Sequence, residues 1–197
     1  MKFLQKVLLS LTAVVAMSAA GPVTNTYRMS GDYTVTISGT SNLHKWDETV
    51  HTVTGDGLIT WNTNGTYDLG KVNLVLVAHS IKSTEGRIMN NNTYKALKAD
   101  DYPNITFALI FPVTSIQDDG KPHQITAKAD LTIAGKTRRV DMTVAATTQG
   151  HATIIFEGSR KIKMTDFDID PPVALFGTLK TGDDIVIHFK TSFNASK

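Results

Sequence analysis

The residues in this chain best suited to chemistry are its six histidines and a polar run before a short helical pattern, Ser80, Ser83, Thr84, Glu85 and Arg87. Imidazole can serve near neutral pH as a general base or as a metal ligand. His44 stands three residues before Asp47, which could orient it, and Glu48-Thr49-Val50-His51 follows. That spacing is not the HExxH of a metalloprotease helix, and the local pattern is that of a strand. His79, His123, His151 and His188 fall in separate segments. No GxSxG elbow and no cysteine supplies a nucleophile beside any of them. The histidines are therefore expected at the surface or in hydrogen bonds, with no catalytic residue, no metal and no cofactor. Arg87 suits a phosphate or carboxylate, so the polar run reads either as a head-group site or as a solvated loop.

The bulk properties narrow the setting. Lys2 and Lys6, the apolar stretch Val7 to Met17 and Ser18-Ala19-Ala20 have the order of a secretory signal. The apolar part is shorter than the roughly 20 residues of a membrane span. Taking Lys2 and Lys6 from the 20 Lys+Arg leaves 18 against 18 Asp+Glu, so residues 21–197 are near neutral. Arg138-Arg139 beside Lys136, and Arg160-Lys161-Lys163, read as solvated strand edges rather than a nucleic-acid surface. The absence of cysteine removes disulfides, so an exported domain must rest on its hydrophobic core. A bacterial periplasm fits that better than a disulfide scaffold.

The elements that must position any site are strands. Tyr33, Val35 and Ile37 alternate with polar residues, and Val50 to Trp61 is a second β region with a break expected at Gly55-Asp56-Gly57. Asn64-Gly65 signals a hairpin. Leu69 to His79 is apolar on both faces, with Val75 and Val77 opposite Val72, Leu74, Leu76 and Ala78, so both faces are expected to be covered. Next comes a helical pattern over Asn91–Ala99, capped by Asn91 or Asn92 and ended by Pro103. Ile105, Phe107, Leu109 and Phe111 alternate after it. A meander follows, through Ile125 to Ile133, the turn Ala134-Gly135-Lys136, Val140 to Ala146, and Ala152, Ile154 and Phe156. Met164 to Lys180 reads as irregular, and Gly182-Asp183 opens a last strand through Ile185, Ile187, Phe189 and Phe193. About eight strands with one helix predict an all-β chain, a single antiparallel eight-stranded barrel with a short helical insertion at the mouth. Such a barrel is either filled by side chains or holds one small ligand.

Four segments, in order, resemble the YceI-like lipid- or polyisoprenoid-binding family. Gly39-Thr40-Ser41-Asn42-Leu43-His44-Lys45-Trp46 resembles its GTSxLHxW signature. Tyr94 to Ala99 with Tyr102-Pro103 and Ile105-Thr106-Phe107 is similar to its helix, YP turn and following strand. Leu131 to Thr137 resembles its LTIxGxT hairpin, and Met164 to Phe167, Pro171-Pro172, Phe176-Gly177-Thr178 and Gly182-Asp183 resemble its C-terminal signature. The first strand carries Asp32-Tyr33-Thr34-Val35-Thr36-Ile37 where the better-studied branch has HSxVxF, so that branch's head-group contacts are not carried over. The resemblance implies a signal peptide over 1–20, a lipocalin-like barrel over 21–197, and a periplasmic, non-catalytic protein enclosing a long isoprenoid-like chain of polyprenyl or prenyl-quinone type.

The residues expected to line such a ligand are Phe107, Leu109, Phe111, Leu131, Met142, Val144, Ile154 and Phe156 from alternation. Trp46, Tyr94, Leu97 and Phe176 are added at the mouth, and Arg87 at the head group. Each reads equally as ordinary core. The partner expected is a hydrophobic lipid, with transient membrane contact for ligand exchange and a homodimer left open, and no nucleic acid. The alternatives are a filled barrel acting through its surface as an envelope stress or interaction protein and, least favoured, an enzyme using His44 or His79.

Overall fold

Strand alternation this regular puts every second side chain on one face, and the sheet it builds closes on itself. The computed structural model describes residues 21–174 and 177–196; the signal-like residues 1–20 and Phe176 lie outside the described residues. The elements in order are β1 (Val23–Ser41), β2 (Lys45–Val50), β3 (Val53–Trp61), β4 (Thr66–Val77), β5 (Ile81–Ser83), α1 (Arg87–Ala96), β6 (Asn104–Leu109), β7 (Val113–Gln117), β8 (His123–Ile133), β9 (Lys136–Gln149), β10 (Thr153–Lys163), β11 (Val173–Ala174) and β12 (Leu179–Ala195).

β2 and β3 both lie along β1, and β6 and β7 both lie along β4, so each pair is one strand with a break in it. Counted that way, eight strands follow one another as an antiparallel meander, and β12 returns to pair with β1 from Tyr27↔Ala195 to Ser41↔Thr181. The result is a closed eight-stranded antiparallel barrel. β5 adds to β2 outside the ring, and α1 is inserted between the third and fourth strands of the meander.

Turn chemistry sets the register. Ala134 and Gly135 both take positive φ, 49° and 77°, which is what a two-residue turn between twisted strands requires. A Cβ on Gly135 would overlap the ring of Tyr102, so this glycine also lets the YP turn pack onto the β8–β9 hairpin. Asn64 Oδ1 accepts from Thr66 N–H at 3.2 Å in the β3–β4 turn.

Several local expectations are corrected. The break in the second β region falls at His51-Thr52, not at Gly55-Asp56-Gly57. There Tyr33 Oη donates to His51 O (2.7 Å) and accepts from Val53 N–H (3.1 Å), satisfying backbone that leaves the ladder. The helix starts at Arg87, after Gly86, so Asn91 and Asn92 lie inside it and cap nothing. It ends before Lys98, which takes φ 50°, well ahead of Pro103. Val75 and Val77 are half-buried, not covered. β10 runs on to Lys163, and Met164 to Lys180 contains a 3-10 turn (Met164–Phe167), β11 and the first residues of β12, which opens at Leu179. Phe111 is 57% exposed because the strand breaks between β6 and β7 and the alternation lapses there.

The two ends of the barrel are built differently. One is plugged by Tyr27, Trp61 and Tyr67, the two tyrosines fully buried, with Trp61 Nε1 donating to Tyr27 Oη at 2.9 Å. Over the other end lies α1.

Candidate functional site

Between these ends the barrel is hollow. Two cavities lie along its axis, each about 120 Å³, with Val35, Leu76, Ile105 and Ile187 as a wall common to both. A filled barrel is thereby set aside. The inner cavity reaches towards the aromatic plug and is lined by Phe107, Leu109, Leu131, Met142, Val144 and Phe156 among others. Those six expected residues come together because each sits at an inward position of adjacent strands, with Phe107 opposite Leu131 across β6–β8. The outer cavity lies under α1, whose Met89, Thr93 and Ala96 form part of its roof, and its lining includes Trp46 and Leu97.

The other expected residues fall elsewhere. Ile154 is fully buried in the core around the plug, without lining either cavity. Phe111 faces solvent. Tyr94 anchors the helix instead of lining the cavity: its hydroxyl donates to Ile81 O, 2.8 Å away, and lies 3.0 Å from His79 O, and Lys82 Nζ sits over its ring. Arg87 is exposed in the first turn of α1, away from both cavities. The polar run before it is a set of loop bonds, Ser83 N–H to Asn90 Oδ1 at 2.8 Å and Glu85 N–H to Ser83 Oγ at 3.1 Å.

The four recognised segments all gather around the outer cavity. Gly39 pairs with Trp46 across β1–β2, and a Cβ there would overlap the indole, so the glycine makes room for the ring. Ser41 Oγ accepts from His44 N–H (3.1 Å), closing the turn. Asn42 Oδ1 accepts from Lys180 N–H (2.9 Å), and Asn42 Nδ2 donates to Thr178 O (2.8 Å). The first signature is thus clipped to the last. Asp183 accepts from the backbone N–H and hydroxyl of Thr165, at 2.9 and 2.7 Å, and these bonds hold its carboxyl below the usual range. These residues shape the mouth. His44 contacts Lys45 O and Glu85, His79 contacts Asp100, and neither lines a cavity. Among the described residues no group of three His, Cys, Asp or Glu could hold a metal.

Three polar groups of the interior were missed by sequence reasoning. Glu48 is 3% exposed in the wall of the outer cavity, and Thr93 Oγ1 donates to its Oε1 at 2.6 Å. Burial raises its pKa, partly offset by that bond. Trp46 Nε1 is buried without a hydrogen-bond partner. Arg160, read as part of a solvated edge, lines the inner cavity. Its parity with Ile154, Phe156 and Ile162 along β10 was the available signal.

An eight-stranded up-and-down barrel around an apolar hollow, closed at one end by rings and at the other by a helix, defines a class of proteins built to enclose a small apolar molecule. The chain belongs to the YceI-like family: the YceI-like domain model matches residues 21–193. No curated protein matches it by sequence. Among solved structures it is similar to a polyisoprenoid binding domain from Saccharophagus degradans implicated in plant cell wall breakdown, with a TM-score of 0.66 at 13% identity over 86% of this chain and 98% of that one. It is also similar to Burkholderia cenocepacia BcnA (TM-score 0.62, 18% identity, 81% and 95% covered). The Campylobacter jejuni YCEI protein aligns with a TM-score of 0.51 at 19% identity, over 76% and 84%. At these identities the likeness is one of fold.

Proposed function

We propose that the protein is a periplasmic carrier that encloses the chain of an isoprenoid-like lipid, of polyprenyl or prenyl-quinone type, without turning it over. The observation that carries this reading is the largely apolar hollow beneath α1. Each buried methylene contributes about 0.8 kcal/mol, so a long chain binds tightly there without polar contacts. The similarity to a polyisoprenoid binding domain supports the ligand class, and the signal-like order of residues 1–20 supports export. Ligand enters beside α1, which contributes no buried residue.

The test is native mass spectrometry of the protein purified from its own envelope, beside an organic extract of the same sample. A stoichiometric lipid is expected in the wild type. Leu131→Trp, which projects an indole into the inner cavity, is expected to lose it while the fold persists, since overpacking costs about 1–3 kcal/mol. A wild-type mass that stays free of ligand after incubation with isoprenoids overturns the carrier reading.

A further inference from the structure

We propose that Arg160 is the head-group receptor of this cavity and that the lipid it holds carries an anionic head, a carboxylate or a phosphate. The inference rests on the carrier reading and deepens it. Arg160 occupies an inward position of β10, two residues from Ile162 and four from Phe156, both buried. It pairs across the ladder with Ile187, part of the wall common to the two cavities, so its side chain enters at the waist of the hollow. Its Nε is buried and without a hydrogen-bond partner, and among the described residues no carboxylate pairs with it. Three exposed cations of β9 and β10 differ in this: Lys161 meets Asp184 at 2.9 Å, Arg139 meets Asp130 at 3.3 Å and Lys136 meets Asp168 at 2.7 Å. Arg160 as a whole is half-buried; a guanidinium does not give up its proton in a protein, and a buried N–H left without a partner is unfavourable. A cavity lined otherwise by apolar side chains and Thr191 retains such a donor at a cost that a bound anion removes.

The strands part beside Arg160. The β9–β10 ladder ends at Gly158↔Val144, whereas β10 continues beside β12 as far as Lys163↔Asp184. Arg160 is the first inward residue beyond this parting; at the inward position before it, Gly158, Phe189 and Val144 pack into the space a side chain would take. The head group therefore meets the guanidinium where the β9–β10 ladder ends, and its chain lies in the largely apolar cavities on either side. Glu48 lines the outer cavity, which disfavours a second anion there.

The experiment measures displacement of the neutral fluorophore N-phenyl-1-naphthylamine from the full exported chain at neutral pH. The probes are two matched pairs, palmitate with 1-hexadecanol and farnesyl phosphate with farnesol. In the wild type the anion of at least one pair is expected to bind about tenfold more tightly than its alcohol, the size of a hydrogen-bonded charge contact. The pair with the larger ratio tells carboxylate from phosphate. Arg160→Met is expected to bring that ratio to about one, and Arg160→Lys to keep part of it. Equal binding of anion and alcohol in the wild type overturns the Arg160 assignment and leaves the carrier reading standing, as does a ratio that Arg160→Met leaves unchanged. Failure of all four probes overturns both. The wild-type ratio decides the matter even where a variant does not fold.

Discussion

The plugged end and the helix end close the same barrel with different materials. At the plug, Trp61 lies 5.2 Å from Tyr67 between ring centroids, stacks on His151 at 4.0 Å and bonds to Tyr27, whose hydroxyl donates to His151 O. Every ring is held by apolar contact and most also by a hydrogen bond. At the helix end, closure rests on α1, which buries no residue and is tied down by the Tyr94 hydroxyl, the Asn90 amide and the Thr93–Glu48 bond. Opening free energy follows buried apolar contact, so the two ends should differ in how readily they open. A container for a lipid needs that difference: one end that stays shut and one that yields.

Substitutions test this contrast from both sides. The largest effect is expected at the plug, where Trp61→Ala should cost about 3–5 kcal/mol in urea unfolding, the range for deleting a buried aromatic. At the mouth, Gly39→Ala should cost about 1–3 kcal/mol by overpacking and should change Trp46 fluorescence, since the new methyl overlaps the indole. Tyr94→Phe should cost about 1 kcal/mol for the lost hydrogen bonding. Hydrogen exchange should then speed up in α1 and stay unchanged in β8 and β9; uniform acceleration would show that the helix does not open by itself.

The smallest effect at any single pH concerns Glu48. Its folded pKa is raised above 4.5, chiefly by burial, so its contribution is fully present below that value and is lost as pH rises through the folded pKa. Glu48→Gln should remove this fall, so the melting temperatures of variant and wild type should diverge upward from about pH 4.5. Asp168 and Asp183 act with the opposite sign. Their carboxyls are held low, Asp168 mainly by the Lys136 bond and Asp183 by Thr165, so their stabilisation is lost as pH falls.

The helix boundary was misread because Asn at positions 91 and 92 is a good cap in isolation, whereas the loop bonds at Ser83 and the turn at Gly86 set the start. Phe111 was misread for a related reason: alternation says nothing about where a strand breaks. The motif residues were legible as a group, yet their work at the mouth was not, because Trp46 on Gly39 and Tyr102 on Gly135 are contacts made by tertiary packing.

Alternation and turn chemistry, both local properties, determined the meander, its strand count and the inward faces of β8 and β9. Even the parity that turns Arg160 inward is written in β10. Whether eight inward faces meet or leave a hollow depends on strand tilt and stagger around a closed ring. Whether a guanidinium finds a partner depends on distances between strands far apart in the chain. Those two facts, the hollow and the unpartnered Arg160 Nε in its wall, were decided only when β12 closed onto β1.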